Sequence, residues 1–353
     1  MIIRTFALLF ILALNISAQE IVLKSVKEPF GGVEYASAEL VQYTRDRIFT
    51  DGFDTIHVFD RKGKHINSFP LDSEEWVSDM AVSDIHGVVM VSTLRKHYDG
   101  KTVVGLIPCL RFLDLDGNYI GLGYDPGLRN PSQIYFRDLT SLPDGMLIAN
   151  KLRKDSLGQA VELSEIRLHE TDGSSYTNGR QPAVPGYEIE YVGQPLFVKA
   201  FQPGSPIERN KKILITYSPY DNAIYYSFAV KPEIRRIDRG LQKGNSESSP
   251  RLITLTGFRK QEEINKRKDI ADVTSLIRGF RALPNGGFVI AHEPNPKEGR
   301  SSLDWFTESW DHLGRKNVTS EPVTGVFFGF VDDQIAFYHK EKGKHIIRIS
   351  PLD

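Results

Sequence analysis

A single cysteine stands among 353 residues, so no intramolecular disulfide can form and a Cys-rich zinc module is excluded. Excess charge of either sign is missing too. The chain sets 44 Lys+Arg against 45 Asp+Glu, a formal net charge of −1, which gives no bulk attraction to nucleic acid or to an anionic membrane surface. Long apolar runs are lacking beyond the N-terminus. Three enzyme signatures are also absent: the Gly-x-Ser-x-Gly elbow, the Gly-x-x-x-x-Gly-Lys loop and the His-Glu-x-x-His helix.

What remains is a globular composition, 40% hydrophobic with 29 glycines, in a chain long enough to bury a large core. Its first segment reads as an address. Arg4 supplies a positive n-region, Thr5 to Ile16 an apolar run of about a dozen residues, and Ser17-Ala18 small residues before a cut. That run is shorter than the roughly 20 residues needed to span a bilayer. Residues 1–18 are therefore expected to be a cleaved signal peptide, and residues 19–353 one exported domain, periplasmic or extracellular, with no membrane span. Cys109, in an apolar strand-like run with no basic cluster beside it, reads as a small core residue rather than a nucleophile.

From Glu20 onward, short runs rich in Val, Ile, Phe and Tyr alternate with turn residues, the signature of strands and hairpins. Ile56–Asp60 runs into Arg61-Lys-Gly-Lys64, and Arg111–Leu115 into Asp116-Gly117-Asn118. Glu165–His169 leads to Asp172-Gly173, and Ser309–Asp311 to His312-Leu-Gly314. A longer unit also repeats. Arg137 to Ala149, with Leu142-Pro-Asp-Gly145 at its turn, matches Arg278 to Ile290, with Leu283-Pro-Asn-Gly286. Weaker copies start at Asp79 and Gly325. First-hairpin turns fall near Asp46, Asp84, Asp144, Asn210, Asn285 and Asp332.

Repeated units of four antiparallel strands are the pattern of propeller blades. The expected fold is all-β, a six-bladed β-propeller. The last unit supplies only three strands, so Glu20–Val26 is expected to add the fourth on its outer edge and close the ring. One helical insertion is expected over Arg259–Lys268, where Glu262/Lys266 and Glu263/Arg267 stand at i,i+4.

Val58-Phe-Asp-Arg-Lys-Gly63, Phe112-Leu-Asp-Leu-Asp-Gly117 and the two Leu-Pro-Asx-Gly turns resemble six-bladed TolB-like and NHL-type propellers, most of all the exported propeller proteins of Bacteroidetes. The resemblance spans roughly residues 20 to 350. It implies an extracytoplasmic scaffold and is nearly silent on activity, because propellers host lyases, lactonases and pure binding modules.

In a propeller the innermost strands line a central channel. Alignment on the turns puts Arg137 and Arg278 at one position of those strands, with Asp79 and Gly325 matching and Glu39 nearby. Guanidinium groups there could grip a carboxylate or phosphate, and inter-blade ion pairing is the structural alternative. The candidate ligand-binding residues are Arg137, Arg278, Asp79, Asp138 and His292. A metal site would have to draw on Asp79, Asp138, Asn150 and His292, which lack ligand spacing, so no metal, cofactor or catalytic residue is assigned. Asp304-Trp305-Phe306 and Trp310 read as blade core rather than a sugar platform.

Two readings follow. The first is a non-catalytic exported scaffold that binds an unidentified protein, peptide or glycan of the cell envelope, with Glu188–Pro206 and Gly240–Asp272 as specificity loops. The second is a metal-dependent lactonase- or lyase-like enzyme at the channel mouth.

Overall fold

The computed structural model describes residues 19–27, 29–30, 41–125, 136–155, 158–176, 183–200, 213–229, 233–239, 251–254, 277–292, 302–317, 326–331 and 334–352. The signal segment, the Arg259–Lys268 stretch and most of Gly240–Asp272 lie outside them. Regular structure among the described residues is β-strand, apart from one 3-10 turn at Ser174–Tyr176, and the strands take a propeller-like arrangement.

Strand β1 (Gln19–Leu23) stands apart from its sequence neighbours. The first sheet holds β2 (Val41–Tyr43), β3 (Arg47–Asp51), β4 (Thr55–Asp60) and β5 (His65–Pro70) in order. A nine-stranded sheet follows. One antiparallel meander in it is β6 (Glu75–Ser83), β7 (Val88–Asp99), β8 (Thr102–Asp114) and β9 (Tyr119–Tyr124). The other is β10 (Phe136–Ser141), β11 (Leu147–Asp155), β12 (Gly158–Thr171) and β13 (Gly186–Tyr191), with β14 (Phe197–Ala200) also on β12. The next sheet is β15 (Ile213–Ser218), β16 (Ala223–Phe228), β17 (Glu233–Asp238) and β18 (Arg251–Thr254). Then come β19 (Ile277–Ala282), β20 (Phe288–His292), β21 (Ser302–Phe306) and β22 (His312–Asn317). The last sheet is β23 (Val326–Val331), β24 (Gln334–Glu341), β25 (Lys344–Pro351) and, outermost, β1.

Hydrogen bonding thus divides the strands into five sheets rather than six separate blades. The two meanders of the large sheet join where β9 and β13 run parallel, from Leu122↔Gly186 to Tyr124↔Glu188. Glycine permits this approach: a Cβ at Gly186 would lie 1.9 Å from the Leu122 carbonyl oxygen, and one at Gly121 2.0 Å from that of Pro185.

The first strands of successive meanders touch in cyclic order, β2 to β6, β10, β15, β19, β23 and back to β2. Each junction holds an apolar cluster. Phe49, Ile56 and Val58 meet Met80, Val89 and Val91, for example, and Ile148, Val161 and Leu163 meet Ile224, Tyr226 and Phe228. Because both faces of a middle strand are covered, β16 is buried at all six residues. Its Ala223 and Tyr225 serve one junction, and Ile224, Tyr226 and Phe228 the other, the two-residue period of a strand.

The turns near Asp46, Asp84, Asp144, Asn285 and Asp332 lie between the expected strands. Asn210 lies outside the described residues, and the first hairpin of that sheet closes at Ser218↔Ala223 and turns through Pro219 to Asn222. Gly is absent from this turn, and Asn222 takes the left-handed conformation instead (φ 51°). Likewise β21 and β22 turn at Thr307–Asp311, not at His312–Gly314, with Trp310 at φ 70°. Asp172-Gly173 opens a long connection between β12 and β13 rather than a tight turn. The proposed loop Glu188–Pro206 is largely strand, β13 and β14, up to Ala200.

Closure runs residue by residue, from Gln19↔Ile349 to Leu23↔His345, antiparallel. Ile21 and Leu23 are buried against Ile48 and Phe59 of the first sheet and Ile347 and Ile349 of the last. Glu20 pairs with Arg348. The Lys24 N–H donates to the Gly63 carbonyl at 2.9 Å, and a Cβ on Gly63 would lie 2.1 Å from the Val22 carbonyl oxygen. Behind the strand, His345 Nε2 donates to the Lys27 carbonyl at 3.1 Å, and its Nδ1 accepts from the Tyr338 hydroxyl at 2.9 Å. Truncating Ile21 or Leu23 to Ala is expected to cost about 2–5 kcal/mol each, read as a lower urea midpoint. Unchanged midpoints would show that the strand does not hold the ring.

Candidate functional site

The five sequence-predicted site residues all lie on strands: Asp79 on β6, Arg137 and Asp138 on β10, Arg278 on β19 and His292 on β20. Backbone register supports the equivalence drawn from the turns. Asp79, Arg137 and Arg278 each stand four residues before the pair that closes their hairpin, Ser83↔Val88, Ser141↔Leu147 and Ala282↔Phe288. Each also borders a register shift, at Val77/Asp79, Arg137/Thr140 and Ile277/Gly279. On the same count the last sheet presents Phe327, not Gly325, because its hairpin closes at Val331↔Gln334. The strands of Asp79 and Arg278 stand three steps apart in the cyclic order of first strands. Gly325 and Glu39 lie outside the described residues, as do the side chains of Arg137, Asp138, Arg278 and His292.

Asp79 is the one of these whose side-chain setting is described. It is 2% exposed. Its Oδ1 accepts the Met80 N–H at 2.8 Å, and its Oδ2 accepts the Leu139 N–H at 3.0 Å. Leu139 sits in the bulge of β10, where the ladder leaves an extra residue without a cross-strand partner. The carboxylate therefore stitches β6 to β10. Thr216 Oγ1 does the same between β15 and β19, accepting the Ala282 N–H at 3.2 Å. This stitching duty was not legible in the sequence, since it depends on where a neighbouring strand bulges.

Away from the first hairpins, polar side chains tie strands together within a meander and between meanders. Arg111 holds Glu75 through two bonds, 2.9 and 2.6 Å, and Asp72 at 2.7 Å, while Thr93 donates to the buried Glu75. Where the two meanders of the large sheet meet, Lys151 Nζ reaches Asp125 at 3.0 Å and the Tyr191 hydroxyl at 2.9 Å, and that hydroxyl donates to Asp125 at 2.7 Å. Burial, then the bond to Asp125, holds the Tyr191 phenol well above its usual range, so it is a donor there and not a base. On β3, burial pushes the Asp51 carboxyl up to about 7, against the pull of the Phe53 N–H it accepts at 2.6 Å.

No group of three His, Cys, Asp or Glu side chains is placed to hold a metal ion among the described residues. Cys109 is half-buried, and burial lifts its thiol to about 11, far from a reactive thiolate. Trp310 stacks on Phe288 (4.0 Å, 18°) and meets Tyr225 and Phe306, so that aromatic group packs between sheets.

One feature was missed. Strands β7 and β8 outrun their sheet as a two-stranded arm. Every residue from Arg95 to Leu106 is exposed, including Val103, Val104 and Leu106, each about half exposed. The arm turns at Gly100-Lys101 between the paired Asp99 and Thr102, with Gly100 at φ 60°. Asp99-Gly100 is the hairpin signal that could have revealed it. Among the described residues the arm is anchored at its base, where the Lys96 N–H donates to the Glu74 carbonyl and the Tyr98 hydroxyl donates to Glu74 Oε1 at 2.6 Å.

No family model matches the chain, and no curated protein matches it. Solved structures similar to it include a Bacteroides caccae protein of unknown function, at 11% identity over 78% of this chain and 80% of that one, TM-score 0.43. A DUF4221-family member from Bacteroides vulgatus is 8% identical over 95% of this chain and 97% of that one, TM-score 0.42. The polysaccharide lyase Uly1 is 11% identical over 90% of each chain, TM-score 0.43. Likeness at this level assigns neither a family nor an activity.

The buried Asp51 gives a pH test. Its carboxyl is raised in the folded chain above its unfolded value, so folding favours the protonated form. That contribution is complete below about pH 4 and is lost as pH rises through about 7. Asp51→Asn keeps the acceptor for Phe53 but cannot ionise. Relative to wild type it should gain stability from about pH 5 to pH 8, by about 4 kcal/mol at most, with little difference at pH 4. Urea unfolding across that range measures it, and a pH-independent difference would refute the buried-acid reading.

Proposed function

We propose that the protein is an exported six-bladed propeller that binds an envelope protein, peptide or glycan without catalysis, and that the β7–β8 arm is its leading contact element. The blade count draws support from the cyclic contacts of the six first strands and from the apolar cluster at each junction. On this reading the nine-stranded sheet is two blades whose outer strands have met. Export draws support from the charged, apolar and small-residue order of residues 1–18.

The arm is the observation that carries the binding reading. A blade needs nothing of it: the corresponding connection in the first sheet is Gly52–Asp54. A lone two-stranded hairpin is marginal in water, and ordering its residues costs about 1–2 kcal/mol each. Its outer strand from Thr102 to Leu110 carries no charged side chain, whereas exposed edges are ordinarily protected by charge. An arm held away from the ring with one apolar, uncharged edge fits a surface that a partner covers.

Replacing Lys96–Leu106 by Asn-Gly joins Arg95 to Ile107, an existing cross-strand pair, and should leave thermal unfolding of the ring within a few degrees. A photo-crosslinking residue at Val104 should give a discrete adduct in the native cell envelope, and the shortened protein should lose the partner so identified. Absence of any adduct at Val104, or equal capture of the partner by the shortened protein, would overturn the proposal.

A further inference from the structure

On the outer half of the first sheet, two histidines share one oxygen. His57 lies on β4 directly opposite Ser68 of β5, and His65 opposite Phe59 after a register shift. His57 Nδ1 is 2.8 Å from Ser68 Oγ, and His65 Nε2 is 2.7 Å from the same atom. All three side chains are half-buried, so solvent reaches them. A hydroxyl has one proton. It donates to one ring nitrogen and accepts the N–H of the other. A change of tautomer in the second ring turns both nitrogen lone pairs toward the hydroxyl, and three donors then converge.

We propose that His57 Nδ1, His65 Nε2 and Ser68 Oγ form a binding site for a borderline divalent ion, Zn²⁺ or Cu²⁺. Imidazole is the preferred side-chain donor for both, and this trio leaves coordination positions for water. The ring geometry suits one shared ion. A Zn–N bond of about 2.1 Å puts the ion about 3.2 Å from each ring centroid. Two coordinating rings then have centroids roughly 5 to 6.4 Å apart, from the tetrahedral to the linear limit. The observed separation is 6.0 Å, with the ring planes at 67°.

Both rings are held before any ion arrives. Phe59 meets His65 edge-on at 5.5 Å. A Cβ on Gly52 would come within 2.6 Å of His57 Nε2, so that glycine makes room for the ring. Asp54 lies close enough to act on His57 electrostatically and supplies a compensating negative charge. Such an ion would tie β4 to β5 beside the closing strand, at a place separate from the arm.

The experiment uses the full mature chain without a histidine tag, stripped with chelator and titrated with Zn²⁺ against a fluorescent zinc indicator. Wild type should bind one ion with micromolar affinity and show a raised thermal midpoint in excess Zn²⁺. His57→Gln/His65→Gln should bind at least tenfold more weakly and lose the thermal shift, whereas Ser68→Ala should lose only a fewfold. Electron paramagnetic resonance of the Cu²⁺-loaded wild type should report two imidazole nitrogens, a readout that stands even if the double variant fails to fold. Equal affinity in wild type and double variant, or fewer than two nitrogens on Cu²⁺, would overturn the assignment.

Discussion

The pairing of β1 with β25 is the constraint on which the rest depends. Five residues from one end of the chain complete a sheet made by the other end. Among the described residues the main contacts of each sheet otherwise run to its neighbours, as in any repeat architecture, so an open ring would leave one junction without a partner and two sheet faces in water. Closing a loop of this length costs entropy that grows only slowly with length. A strand that buries Ile21 and Leu23 offsets it locally, and the junction cluster with Ile48, Phe59, Tyr338 and Ile347 adds to the gain. His345 and Gly63 belong to the same device. One satisfies the chain leaving β1, and the other lets the first sheet's turn touch the strand's backbone.

The remaining junctions repeat a common plan of apolar cluster plus polar stitch. A bulge on β10 frees the Leu139 N–H for Asp79, and at β19 the Thr216 hydroxyl oxygen accepts the N–H of Ala282, a residue of the hairpin-closing pair. Leaving such a group buried and unpaired costs about 1–3 kcal/mol, so the stitches fix rotation between neighbouring sheets as well as contact. Lys151 with Asp125 ties the two meanders of the large sheet together, while Arg111 with Glu75 ties β8 to β6 within one meander. A ring held this way needs no covalent tie, in keeping with the single, half-buried Cys109. The rigid body so formed is a mount, and the features with spare chemistry, the arm and the His57–His65 pair, project from it or lie on its outer strands.

The strand order, most turns and the closing strand were legible because they rest on local rules: alternating apolar residues, Asx-Gly turns and a missing fourth strand. The departures have equally local causes. The Pro219–Asn222 turn has no glycine, and the left-handed residue of the next unit's outer turn is Trp310, which no turn preference anticipates. The union of β9 with β13 is a tertiary contact made possible by Gly121 and Gly186, residues that also read as ordinary punctuation. The site was only partly legible. Turn alignment placed Asp79, Arg137 and Arg278 at equivalent backbone positions, but the bond that Asp79 accepts from Leu139 depends on a bulge in another strand. The arm carried its signal in Asp99-Gly100, while the apolar run after it read as an ordinary blade strand.

Native-state hydrogen exchange of β1 tests closure most directly. If the strand is part of the cooperative ring, its ladder amides between Gln19 and Leu23 exchange only through global opening, with the same free energy as those of β24 and β25. Exchange of β1 amides by local fraying, several kcal/mol below the protection of β24, would contradict a ring closed by its own first strand.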